Sequence, residues 1–381
     1  MAVGLKEFDW TTTISTNLFM LKCVGLWPEA EFYKANIYTC YAIFNAIFII
    51  GGHNLSQLIL IYFVYSDLEA LANTVFVLTT NIMAAAKMYF FVRNLKMIKQ
   101  MLAVLSSPEF LPKSGAQLDL VQPSLSLWKL SYTVFSVIVA MNVFLWSIAP
   151  CFNEEQRFPF VAWYPFQTNS MLNYCIVYLY QVVCIWVITI ANLNMDTMTM
   201  ALMVYIGTQC DILCDNLKNL CGSSDYFNTQ LINCVKHHKK IVNYAKESNN
   251  IFNMIILGQF ATSTMVLALT MFQLSLVNPL SGIAAIHLNY ILGITTEILL
   301  YCYYGNEVEV KSNRISYSIY KSDWYQQPVT IRRIILILCE RCKRPIKITA
   351  INLFALSLST FMTIIRSAYS YFALLYNVNN R

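Results

Sequence analysis

Leu299-Leu300-Tyr301-Cys302-Tyr303-Tyr304-Gly305-Asn306-Glu307 and, farther on, Tyr369-Ser370-Tyr371-Phe372-Ala373-Leu374-Leu375 bracket the region from which the rest of the sequence is read. An apolar helix enters the first stretch and is expected to end at its tyrosines and Gly305. A loop through Tyr320, Trp324, Tyr325 and Pro328 should follow. A basic amphipathic segment, Arg332 to Lys347, then leads into one last apolar span. With so little sequence after that span, the expectation is that the membrane-embedded part performs the function.

Composition supports a membrane protein throughout. Of 381 residues 57% are hydrophobic, 14% aromatic and only 12% charged, against about 25% charged in a soluble domain. The net charge of +6 does not point to nucleic acid, because the basic residues sit in loops between apolar runs. Lys6, Glu7 and Asp9 interrupt the first residues, so no cleavable signal peptide is expected. Most of the twelve cysteines fall within apolar spans or in loops assigned to the cytoplasm, with Cys151 in an outer loop, and they read as small packing residues. Cys339 and Cys342 have CxxC spacing, but no second pair completes a zinc site. No cofactor and no metal are expected.

The apolar runs define seven spans. Residues 1–36 form an N-terminal arm. Spans follow at about Ile37 to Phe63, Leu68 to Phe91, Trp128 to Ala149, Met171 to Ile206, Ile251 to Val277 and Ser281 to Tyr304. The last runs from about Ile346 to Tyr376. The turn Tyr65-Ser66-Asp67 joins the first two, and a polar loop with Pro108, Pro112 and Pro123 precedes the third. Residues 150–170 read as an aromatic, proline-rich cap at an interface. The fourth span is too long for a hydrocarbon core of roughly 30 Å and should protrude. In the first span, His53 and Asn54 read as interhelical hydrogen-bonding groups.

Seven spans put the termini on opposite sides, and charge chooses between them. With the N-terminus inside, inner segments carry seventeen basic residues, from Lys6 through Lys34, Arg93, Lys113, Lys240 and Lys246 to Arg333. The outer segments carry two, Arg157 and Arg381. The positive-inside rule then predicts a cytoplasmic N-terminus and an extracellular C-terminus. The fold class is all-α, a polytopic membrane protein with seven transmembrane helices.

In detail the C-terminal third resembles the insect odorant receptor family, on the side of its odorant-specific tuning subunits. The matching residues are Tyr301 to Glu307, Ser316, Tyr320, Trp324-Tyr325, Pro328, Arg332-Arg333, Pro345 and Phe361, then Ala368 to Phe372. The rest resembles it in span pattern, length and topology. The resemblance implies a volatile-gated, non-selective cation channel in the plasma membrane of olfactory sensory neurons. It also implies a heterotetramer with an olfactory co-receptor, among membrane lipids and permeating cations. On that reading, residues 37–304 hold the odorant pocket, 305–345 an intracellular loop and subunit-interface segment, and 346–381 the pore-lining helix and a short outer tail.

The same resemblance places the hydrophobic gate at Leu374, with Asn377 and Val378 one turn on, and 374, 377 and 378 do share a helix face. A leucine ring can close a pore by dewetting. It also places the pocket in the outer half among spans two, three, four and six. Span direction then nominates Phe76 and Thr80, Met141, Phe144 and Leu145, Tyr174, Tyr178 and Gln181, and His287 and Tyr290. Mostly apolar and aromatic residues with a few polar groups suit a small volatile odorant. Lys87, Asp196 and Glu297 are read as solvated near the inner ends of their spans, and Lys236 to Lys240 as a solvated basic face. Arg366 is open between the pore vestibule, an interface and the headgroups. No enzyme motif is found. The alternatives are a multi-span transporter, which should show internal repeats, a gustatory-type channel, and a metabotropic receptor, which the topology opposes.

Overall fold

Each of the long apolar runs is a helix in the computed structural model, which describes residues 8–65, 68–152, 158–166, 170–351 and 353–379. Lys6, the Ser66-Asp67 turn, Arg157 and Arg381 lie outside the described residues. The N-terminal arm opens with a 3-10 turn, Trp10–Ile14, whose first amide (Thr11 N) is accepted by the Asp9 side chain. It continues as α1 (Ser15–Cys23). The first span is α2 (Ile37–Phe44), a π-helical segment (Asn45–Gly51) and α3 (Gly52–Val64) in one run. Next come α4 (Leu68–Arg93), the short α5 (Leu95–Leu105) and α6 (Gly115–Ile148). Three long helices follow, α7 (Met171–Lys218), α8 (Ser224–Leu276) and α9 (Gly282–Tyr320), and then α10 (Val329–Cys342). The chain closes with a hairpin of β1 (Thr349–Ala350) and β2 (Phe354–Ala355) and with α11 (Leu358–Asn379).

Side-chain caps fix where several of these helices begin. Asn36, Ser114, Ser170 and Ser281 each accept a hydrogen bond from the backbone N–H three residues on, which satisfies a donor the helix cannot. Among the described residues, six helical runs are long and apolar enough to cross a membrane. The 22-residue α11 is about 33 Å long, enough to be the seventh. The 48-residue α7 is about 72 Å long, so it extends far beyond any bilayer core.

Several boundaries differ from expectation: the fourth span's helix runs past Ile206 to Lys218, and the fifth's starts at Ser224, well ahead of Ile251. The third span's helix starts at Gly115, well ahead of Trp128, and carries Pro123 inside it; the proline forfeits one backbone bond without ending the helix. The sixth does not stop at Gly305 but runs on to Tyr320. The last helix starts at Leu358 rather than near Ile346, because Thr349 pairs with Ala355 and Ala350 with Phe354 in the hairpin.

Gly305 explains how that hairpin docks. A Cβ at this position would sit 2.3 Å from Leu356 Cβ and 2.8 Å from the Leu356 carbonyl oxygen. Glycine is there to let the chain after β2 pass against the side of α9, not to end the helix.

The core is built around α7, which is buried on every side from Asn194 to Cys210. Helices α9, α6, α8, α4 and α1 surround it. The arm is part of that packing: Trp10 Nε1 donates to the Phe110 carbonyl at 3.2 Å and Asn17 Nδ2 to Thr197 Oγ1 at 2.6 Å.

Candidate functional site

Between α4, α6, α7 and α9 lies a cavity of about 130 Å³ whose wall is mostly apolar. That volume is close to the roughly 150 Å³ of an engineered apolar cavity that takes up benzene, so a single-ring molecule is the right scale. Three of the ten expected ligand residues line it: Phe76, Thr80 and Tyr290. Tyr290 and Thr80 hydroxyls are hydrogen-bonded at 2.9 Å, and Thr80 also reaches the Phe76 carbonyl at 3.1 Å. The Phe76 ring meets the Tyr290 ring edge-on at 5.8 Å. His287 is buried one layer back, its ring 6.0 Å from Trp146 and 6.5 Å from Phe76.

The remaining six do not face the cavity. Met141 and Phe144 are about half exposed, on the outer side of α6, and Leu145 is half-buried beside them. Tyr174 and Tyr178 pack outward, Tyr174 on Phe158 at 5.0 Å and on Tyr178 at 5.9 Å. The Tyr178 hydroxyl donates to the Ser147 carbonyl.

Gln181 has a different task. Its Oε1 accepts from Phe160 N at 3.0 Å, and its Nε2 donates to the Phe160 carbonyl at 2.9 Å and to Tyr164 at 3.0 Å. Both backbone groups of Phe160 are thereby paired inside the protein, which lets this loop be buried. Phe160 then stacks on Trp146 at 5.5 Å, and both rings line the cavity. A second tie, Trp163 N to the Ser56 carbonyl at 3.1 Å, fastens the loop to α3. The aromatic cap expected at 150–170 is thus, over 158–166, a roof over the site.

Sequence reasoning missed Trp146 and Phe160, and with them Asn81, Asn142 and Glu297. The clue to Phe160 was the density of aromatics in its loop; the others lie on helices apolar all round, where no stripe marks the inner face.

Glu297 belongs to a buried ionic cluster. Lys87 Nζ lies 2.7 Å and 2.8 Å from the two oxygens of Asp196 and 3.3 Å from Glu297 Oε1. The Tyr301 hydroxyl donates to Asp196 Oδ1 at 2.8 Å. This corrects the reading of these charges as interfacially solvated: Lys87 and Asp196 are 0% and 1% exposed. Burial of charge at this depth requires such mutual pairing.

His53 is fully buried but has no hydrogen-bond partner among the described residues, and instead meets the Phe160 ring edge-on at 6.1 Å. The run at 236–240 also divides: Lys236, Lys239 and Lys240 are exposed, whereas His237 and His238 are buried. His237 Nε2 pairs with Gln209 Oε1 at 3.0 Å. All twelve cysteines are unpaired, and five of them are exposed rather than packed inside. Among the described residues, no cluster of His, Cys, Asp or Glu could hold a metal ion.

The residues expected at the gate are exposed on α11, with Leu374 bordering the groove between α8 and α11. Leu374 and Val378 are 61% and 62% exposed, Asn377 is exposed, and only Ile364 and Ala368 of this helix are buried. Arg366 is also exposed, away from the chain's own core.

Residues 67–369 match the family profile described as 7tm Odorant receptor. Odorant receptor Or1 of Anopheles gambiae is 25% identical over 98% of this chain and 97% of its own length. Odorant receptor 46a, isoform B, of Drosophila melanogaster is 26% identical over 83% of this chain and 84% of its own. Among solved structures, the insect olfactory receptor OR5 from Machilis hrabei in complex with eugenol superposes with a TM-score of 0.86 at 19% identity. That match covers 97% of this chain and 100% of the other, and speaks to the fold.

Proposed function

Since the chain belongs to the 7tm odorant receptor family, we propose that this multi-pass membrane protein is the ligand-recognising subunit of a volatile-gated, non-selective cation channel. Its partner is an olfactory co-receptor, in a heterotetramer in the plasma membrane of olfactory sensory neurons. The N-terminus is cytoplasmic and the C-terminus extracellular. The volatile sits in the cavity walled by Phe76, Thr80 and Tyr290 and roofed by Trp146 and Phe160, and the gate is the Leu374, Asn377 and Val378 face of α11.

The observation that carries this reading is the roofed apolar cavity with one hydroxyl pair in its wall. Such a site holds a small apolar molecule and orients it by a single polar end. Support for the pore comes from α11, which turns large apolar side chains away from its own chain, as a helix facing other subunits would. The volatile acts only through its differential affinity for the open over the closed arrangement.

The test is whole-cell current in cells expressing this chain with and without an olfactory co-receptor, during exposure to a volatile panel. A fast inward current that needs both chains and survives block of G-protein signalling is expected. Current from this chain alone would remove the co-receptor from the proposal. Silence across the panel with both chains at the cell surface would overturn the channel reading and turn attention to labelled-substrate uptake.

A further inference from the structure

We propose that the groove between α8 and α10 is a binding site for a phosphate-rich anion, separate from the volatile's cavity. The groove has a volume of about 490 Å³, and its wall includes Lys246, Arg341, Arg344 and Lys347. It shares His238 and Arg341 with an adjoining depression of about 420 Å³, which adds Lys239. No carboxylate lines either one among the described residues.

Some surface cations of this chain are neutralised in pairs, Lys240 with Glu109 at 2.6 Å, Lys343 with Glu340 at 2.6 Å and Lys22 with Glu29 at 2.7 Å. Among the described residues, Lys347 alone of the groove's cations has such a partner, Glu309 at 2.9 Å. A basic face that merely meets solvent spreads its charges over a convex surface. Here four of them line one concavity, where a multivalent anion would relieve their mutual repulsion. Two of the cations are arginines, whose planar forks pair with phosphate through two parallel hydrogen bonds.

The frame that holds these cations is already in place. Asn249 accepts from Thr349 N at 2.8 Å and donates to Thr349 Oγ1 at 3.3 Å, and Ser312 Oγ accepts from Ile346 N at 2.9 Å. The backbone flanking Lys347 and following Arg344 is thus pinned to α8 and α9 without a ligand, so less ordering remains to be done on binding.

The experiment uses the full chain in phosphatidylcholine nanodiscs, following its unfolding midpoint and the displacement of a fluorescent inositol phosphate. In one arm soluble inositol trisphosphate is added; in the other the nanodisc is doped with phosphatidylinositol bisphosphate. Saturable binding in either arm is expected, with the arms telling a free phosphate from a lipid headgroup. Arg341→Gln with Arg344→Gln should weaken it about tenfold or more, as loss of two bidentate contacts requires. Arg341→Lys with Arg344→Lys, which keeps the charge and the fold, should recover part of the loss. Lys218→Gln with Lys236→Gln, exposed but outside the groove, should leave it unchanged. No saturable binding in either arm, or an equal loss in the Lys218 and Lys236 pair, would overturn the proposal.

Discussion

Lys87 of α4 places its ammonium 2.7 Å and 2.8 Å from both carboxylate oxygens of Asp196 at the centre of α7, and neither side chain reaches solvent. One cation here serves two carboxylates, since Glu297 is 3.3 Å away. Removing the cation alone leaves two buried acceptors uncompensated. Lys87→Met should therefore cost about 3–5 kcal/mol, and Lys87→Met with Asp196→Asn should recover part of it. Thermal melting of detergent-solubilised protein reads both. Equal melting of wild type and the single variant would show that water reaches this cluster.

Gly305 and Leu356 offer a second test. Gly305→Ala puts a methyl within 2.3 Å of the Leu356 Cβ, and overpacking of this kind costs roughly 1–3 kcal/mol. Leu356→Ala keeps its own Cβ and the carbonyl oxygen stays 2.8 Å away, so the double variant should not regain wild-type stability. A lower surface yield in both single and double variants is the expected result; rescue by Leu356→Ala would mean the hairpin is free to shift.

Within the cavity, Trp146→Ala and Phe76→Ala each remove a wall. Each should raise the concentration of volatile needed for half-maximal response by about tenfold or more, at 1–3 kcal/mol per lost apolar contact. Tyr290→Phe removes only the bond to Thr80, worth about 1 kcal/mol, and should shift the response about fivefold. Met141→Ala and Phe144→Ala, half exposed on the outer side of α6, should leave it unchanged. Dose–response curves for one effective volatile decide all five.

At the proposed gate, Leu374→Ala should raise resting leak in the assembled channel, because a smaller side chain dewets a constriction less completely. Unchanged leak and unchanged evoked current would remove Leu374 from the gate.

Thiol chemistry separates Cys221, in the loop after α7, from Cys342, at the end of α10. Cys221 is exposed, while burial pushes the Cys342 thiol up to about 12. Only the thiolate reacts, so at pH 8 Cys342 stays protonated and a maleimide should leave it unmodified. Reactivity there is expected only as pH rises towards that value or when the protein unfolds. Mass spectrometry of the labelled chain at pH 8 and after denaturation checks the contrast.

Much of the architecture is legible in the sequence because hydrocarbon-length apolar runs with polar joints admit few other structures. The exceptions have local causes. Pro123 and Gly305 look like breakers, yet both sit inside helices whose neighbours make the loss tolerable. The hairpin at 349–355 is made of residues as apolar as the helix that follows. The cavity was harder to read. Phe76, Thr80 and Tyr290 could be placed by depth, but Met141 and Phe144 lie at a similar depth on the wrong face, and helices apolar on all sides give no rotation. Gln181 looked like a ligand contact because its use by the Phe160 backbone depends on a loop distant in sequence.

The π-helical segment Asn45–Gly51 divides the first span into two halves. A π turn takes up about one residue more than an α turn, so deleting one residue within 45–51 would leave a regular helix whose two ends keep nearly the same faces. His53 and Gln57, just beyond the segment and buried, would stay turned towards the protein. Among related chains, a one-residue gap at this point should therefore leave the polarity pattern on either side of it unchanged.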